Sequence, residues 1–159
     1  MRRTPSIVVR YQKERFPIRQ TQSAQFDEPQ VAVAVQDSTE TTPANWLIAA
    51  QAADSKQARD LKLLDLRDVT SFTDYFLICT GMNKRQSQAI SDEIYHKCKH
   101  RGELPVTVEG YDNGEWILMD YSDFLVHIFS ETARSYYDLE RLWRHGKSVE
   151  IPDGALSPA

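Results

Sequence analysis

No apolar run in these 159 residues approaches the ~18 needed to span a bilayer, and the N-terminus lacks the apolar stretch of a secretory signal. A soluble, unsecreted protein is expected. Cysteine is equally scarce: Cys79 and Cys98 are the only two, without C-x-x-C spacing, so they read as small core residues of a reducing compartment rather than a disulfide. Large charge imbalance is missing too. The net charge is −4, and residues 45–150 alone carry that −4, a poor balance for gripping phosphates directly. What is present suffices for one core, since 41% hydrophobic and 26% charged residues are ordinary for a single globular domain.

Charge and composition divide the chain. Residues 1–25 hold six Arg/Lys against Glu14, residues 26–44 hold four acids and no base, and the whole stretch is rich in Gln, Thr, Ser and Pro. Residues 1–43 therefore read as a disordered extension, with VAVAV at 31–35 as its only β-like patch. The basic start also fits an organellar transit peptide, although Glu14, Asp27 and Glu28 count against that.

From Pro43 the punctuation is regular. Asn45 is placed to cap a first helix (WLIAAQAADSKQA), LKLLDL at 61–66 reads as a strand, and Ser71 with Asp74 has capping-box spacing for one helical turn. YFLIC at 75–79 has no alternation and suits a central strand buried on both faces. Asn83 and Gln86 open a second helix that carries Ile90, Ile94 and Cys98 on one face and ends at Gly102. PVTVEG (105–110), EWILMDY (115–121) and FLVHIF (124–129) make a meander, and Ser130 caps a last helix striped by Tyr136, Leu139 and Trp143. Strand 75–79, helix 84–100 and strand 105–109 form a β-α-β unit, so the expected class is α+β with a mixed sheet and flanking helices. The domain is bounded at 44–146, with 147–159 as a flexible C-terminal tail.

Three stretches, Asp68 to Ile94 (DVTSFTDYFLICTGMNKRQSQAISDEI) and the overlapping Val108 to Trp116 (VEGYDNGEW) and Gly114 to Trp143, resemble the ribosomal silencing factors, the Iojap-related family. The likeness spans Trp46 to Trp143 and includes that family's D-Y-x-D-x-x-x-H-x-F pattern at Asp120 to Phe129 and Y-D-L-E-x-L-W at Tyr137 to Trp143. It implies a five-stranded nucleotidyltransferase-like fold without the catalytic carboxylates. It also implies a translation repressor that binds the large ribosomal subunit through ribosomal protein fourteen, and so blocks subunit joining when nutrients are limiting. No reaction, metal or cofactor is implied, and no membrane. The free protein would be a homodimer by the same sheet, in the bacterial cytoplasm, with an organelle as the alternative.

Two other functions have less support in the residues. A divergent nucleotidyltransferase needs an Asp-x-Asp pair to hold a divalent metal between phosphates, and none occurs; Met82, Asn83 and Lys84 follow Thr80 and Gly81 where a Gly-Ser turn belongs. Asp65, Asp68 and Asp74 more naturally cap backbone N–H groups. An RNA-binding assembly factor is supported only by the basic residues 1–25, so little direct nucleic-acid contact is expected.

The resemblance, which implies that the histidine matching His127 lies at the ribosome-binding surface, together with side alternation assigns the partner surface to Trp116, Leu118, Asp120, Tyr121, His127 and Tyr137. Alternation puts Trp116, Leu118 and Asp120 on one side of their strand and Ile117, Met119 and Tyr121 on the other. A lone strand histidine such as His127 is commonly a core residue, and large apolar groups are commonly covered. The functional reading requires one side of the meander to be bare, with aromatics rimmed by Asp120, Asp123, Glu131 and Glu140 to attract a basic protein. Tyr136, Leu139 and Trp143 are assigned to packing, Tyr137 and Glu140 to the surface.

Overall fold

The structure, a computed structural model, describes residues 43–156. The extension read as disordered, with its VAVAV patch, lies outside the described residues apart from Pro43. The first helix, α1 (Asn45–Ser55), buries Ala49, Ala50, Ala52 and Ala53, whose small side chains let it lie close to its neighbours. Its N-cap is Ala44, not Asn45, which sits in the first turn and accepts from Arg101 Nε at 3.4 Å.

Strand β1 (Arg59–Asp65) pairs antiparallel with β2 (Tyr75–Gly81). The helical turn expected at 71–74 is absent. The chain turns earlier, where the N–H groups of Val69 and Thr70 both donate to the Leu66 carbonyl, and Asp74 N–H is taken by the Asp123 carbonyl at 2.9 Å. Helix α2 (Lys84–His100) follows the expected punctuation: Asn83 accepts from Gln86 N–H at 2.8 Å, and Ile90, Ile94 and Cys98 are buried.

The meander is β3 (Thr107–Glu109), β4 (Trp116–Asp120) and β5 (Phe124–Ser130), each antiparallel to the next. Gly110, at φ +79, turns β3 toward β4 where a Cβ would strike the Trp116 carbonyl. β5 lies parallel beside β2. Two antiparallel steps then leave β3 running in the direction of β2, so the expected β-α-β crossover exists with two meander strands inserted between its ends.

The last helix is broken. Asp138 adopts φ 44, ψ 54 and separates α3 (Glu131–Tyr137) from α4 (Leu139–Leu142). β6 (Lys147–Val149) then pairs with β1, Leu63 opposite Val149, so the mixed sheet has six strands in the order β3-β4-β5-β2-β1-β6 rather than five. The stretch expected as a tail thus starts as an edge strand, because Val149 and Ile151 reach the core.

Both faces of the sheet are filled. Ile117, Met119, Tyr121, Val126 and Ile128 join Leu77, Cys79, Ile90, Ile94 and the α1 alanines in one cluster. The opposite side carries Trp116, Leu118, Leu125, His127, Phe129 and Phe76, all buried. There Trp143 stands edge-on to Phe72 and Phe76, with centroids 5.6 and 5.3 Å away, and Leu139 is buried, as expected.

Candidate partner-binding site

The family-like residues converge on the β4–β5 ladder. Trp116 faces Phe129 across it and Leu118 faces His127. The indole N–H of Trp116 donates to His127 Nδ1 at 3.1 Å, which leaves the ring proton on Nε2. That Nε2 is buried without a hydrogen-bond partner. Burial holds the imidazole neutral and pushes its pKa down to about 3. Phe76 meets the same ring edge-on at 4.5 Å, so His127 is a packed core residue rather than an exposed ligand.

Tyr137 lies over Trp116, ring centroids 4.6 Å apart, and Tyr136 meets Tyr137 edge-on at 5.0 Å. Of this pair it is Tyr136 that faces out, 71% exposed, and Tyr137 that is half-buried. This reverses the expected roles. A stripe of Tyr136, Leu139 and Trp143 needs one continuous helix, and the break at Asp138 ends that register after Tyr137.

Of the six residues assigned to the surface, Trp116, Leu118, Tyr121 and His127 are buried, so none of these four presents a side chain to solvent. Tyr121 is not even on the same side: it stacks on Phe124 at 4.8 Å in the helix-covered cluster, and burial raises its phenol pKa. Only Asp120 and Tyr137 keep surface. Asp120 Oδ1 accepts from Ser122 N–H at 2.8 Å.

Arg134, not singled out from sequence, holds this region together. Its Nε and Nη2 donate to Glu140 Oε1 at 3.0 and 2.7 Å, and its Nη1 donates to Thr80 Oγ1 at 2.8 Å and the Asp60 carbonyl at 2.7 Å. Glu140 is thereby committed inside the fold, and its carboxyl is held below the usual range by Arg134 against the cost of burial. A spacing of six between Arg134 and Glu140 is no helical contact, so no periodicity rule reveals it. Arg134 and Glu140 border an open cleft of about 450 Å³ with Arg59, Lys62, Glu131 and Asp138.

The groups a nucleotidyltransferase would use are engaged otherwise. Asp65 is bound by Arg67 at 2.6 Å, which drives its carboxyl down to about 2, and Asp68 takes Lys147 at 2.8 Å. At the start of α2, Gln86 Oε1 takes Met82 N–H and Asn83 Oδ1 takes Gln86 N–H, two of the donors that would cradle a phosphate. Lys84 and Arg85 are exposed. Among the described residues no helix is long and apolar enough to cross a membrane.

The family model described as "Ribosomal silencing factor during starvation" matches residues 39–158. The chain is 44% identical over 107 residues to the ribosomal silencing factor RsfS of Bacillus subtilis, covering 67% of this chain and 91% of that protein. It is 30% identical over 91 residues to the mouse protein named mitochondrial assembly of ribosomal large subunit protein 1, covering 55% of this chain and 40% of the relative. A crystal structure of a Chromobacterium violaceum protein superposes with a TM-score of 0.62 at 32% identity, covering 70% of this chain and 92% of that one.

Proposed function

This chain belongs to the ribosomal silencing factor (RsfS) family, and from that membership we propose that it binds the large ribosomal subunit through ribosomal protein fourteen. There it bars the small subunit and represses translation under nutrient limitation, acting in the bacterial cytoplasm. The observation that carries the reading is the family match, which covers all the described residues. Exposed Tyr136 beside half-buried Tyr137 offers an aromatic anchor for a protein partner, which supports the reading.

The contact surface we propose keeps Asp120 and Tyr137 and adds Tyr136. Trp116, Leu118 and His127 serve as its floor, and Tyr121 supports the sheet from behind. Co-sedimentation with isolated large and small subunits, followed by addition of the missing one, tests the function. Migration with the large subunit alone, together with loss of the joined particle, is expected; association with neither subunit overturns the reading. The name of the mouse relative favours a second reading, assembly of the large subunit, under which the chain would ride on precursor particles and leave joining intact.

A further inference from the structure

Strand β3 ends the sheet, and its outer edge has no neighbouring strand among the described residues. An open edge is a template for another chain unless it is blunted by charge or shape. Here it is neither. Leu104, Val106 and Val108, at alternate positions leading into and along β3, are 56%, 67% and 39% exposed, three of the six large hydrophobics that the described residues leave in solvent.

β3, β4 and β5 lie in a stretch of sequence whose own charges are all acidic, bounded by the basic residues Lys97, Lys99 and Arg101 at the end of α2. From Gly102 to Ala133 the chain has seven acids and no Lys or Arg. In register, Thr107 pairs with Asp120 and Val108 with Met119. Thr107 therefore shares a side of the sheet with the Asp120 carboxylate, and Val108 shares the other with the core.

We propose that the β3 edge is a docking site for an extended segment of a basic partner protein, in which apolar residues alternate with Arg or Lys. An added strand would lie about 5 Å beyond β3 and about 10 Å from β4. Its apolar residues would cover Val108 and Val106. Its basic residues would project across Thr107, small enough to be spanned, toward Asp120. A second copy of this chain is the poorer occupant, because its edge brings Glu103 and its neighbouring acids against the same charge. The inference deepens the proposed function, and rests on it only for the source of the strand: ribosomal proteins are basic.

The test is titration of the isotope-labelled full chain with a ten-residue peptide alternating valine and arginine, beside one alternating valine and glutamate. The expected result is amide shifts confined to residues 104–109 and 118–121 with the basic peptide alone, reduced at least tenfold in affinity by Val108→Arg and by Asp120→Lys. Both positions keep surface, and an unchanged circular dichroism spectrum confirms the fold. Shifts elsewhere, equal binding of the acidic peptide, or no binding overturns the proposal. So does a sedimentation-equilibrium dimer that Val108→Arg dissolves, which would make the edge a self-interface. Large-subunit binding that survives Val108→Arg sinks this site and spares the function; peptide binding with no subunit association spares the site and sinks the function.

Discussion

The indole nitrogen of Trp116 and Nδ1 of His127 stand 3.1 Å apart on adjacent strands, one donating to the other. The bond fixes the tautomer, joins β4 to β5 through side chains as well as backbone, and sets the floor beneath Tyr137. Because the second ring nitrogen is buried with no acceptor, a proton on His127 has nothing to compensate it.

Acid sensitivity follows with a definite sign. The folded pKa of His127 is pushed down to about 3, below the ordinary 6.5 of the unfolded chain. Above 6.5 neither state binds the proton and nothing is lost. Between 6.5 and about 3 only the unfolded state binds it, so stability falls as pH drops, by up to ~1.4 kcal/mol per pH unit. Urea denaturation at pH 7 and pH 5 should show a loss about 2 kcal/mol larger for the wild type than for His127→Gln, a variant with no titrating ring. Equal losses would mean that the imidazole is solvated.

Arg134 clamps the break between α3 and α4 to the sheet through Glu140, Thr80 and Asp60. The side chain is largely but not wholly buried, so Arg134→Ala should cost about 2–3 kcal/mol, somewhat less than a fully buried pair. Arg134→Lys keeps the charge and loses the fork. A melting temperature for the lysine variant close to that of the alanine variant would show that geometry rather than charge holds α3; recovery to the wild-type value would show the reverse.

The elements with local signatures were legible in the sequence. Asn83 and Gln86 sit together on one cap, YFLIC is buried on both faces, and Ser130 accepts from Ala133 N–H at 3.1 Å. What escaped depends on contacts between distant residues. β6 is three residues long and is a strand because Val149 finds Leu63. The break at Asp138 puts a non-glycine residue in the left-handed region, which no periodicity announces. For the site, motif and alternation marked the right strands, but alternation cannot say how each face is covered. Hence Trp116, Leu118 and His127, which motif and alternation point outward, are buried beneath Tyr137, Phe76 and Trp143 on the second face.

Burial also sets the thiol chemistry. Cys79 is fully buried on the helix-covered face of β2, which pushes its pKa up to about 12, and Cys98 is buried and raised as well. Neither should react with Ellman's reagent at pH 8 in the folded protein. Labelling should instead track unfolding, so that both thiols appear with the loss of helical signal in urea. Rapid labelling of Cys79 without urea would show that the sheet opens locally.

Tyr136 and Tyr137 allow binding and folding to be separated in one experiment. Tyr137 packs on Trp116 and Phe129, so truncation removes buried contact and should cost about 2–3 kcal/mol of stability. Tyr136 points outward and is mostly solvated, so Tyr136→Ala should change stability by only about 0.5 kcal/mol. If the aromatic platform is the contact surface, the same change removes an exposed anchor and should weaken large-subunit binding about tenfold, equivalent to ~1.4 kcal/mol. The informative result is thus a fold-neutral loss of affinity at Tyr136. Unchanged affinity for Tyr136→Ala, with loss only for Tyr137→Ala, would mean that this helix supports the partner surface without forming it.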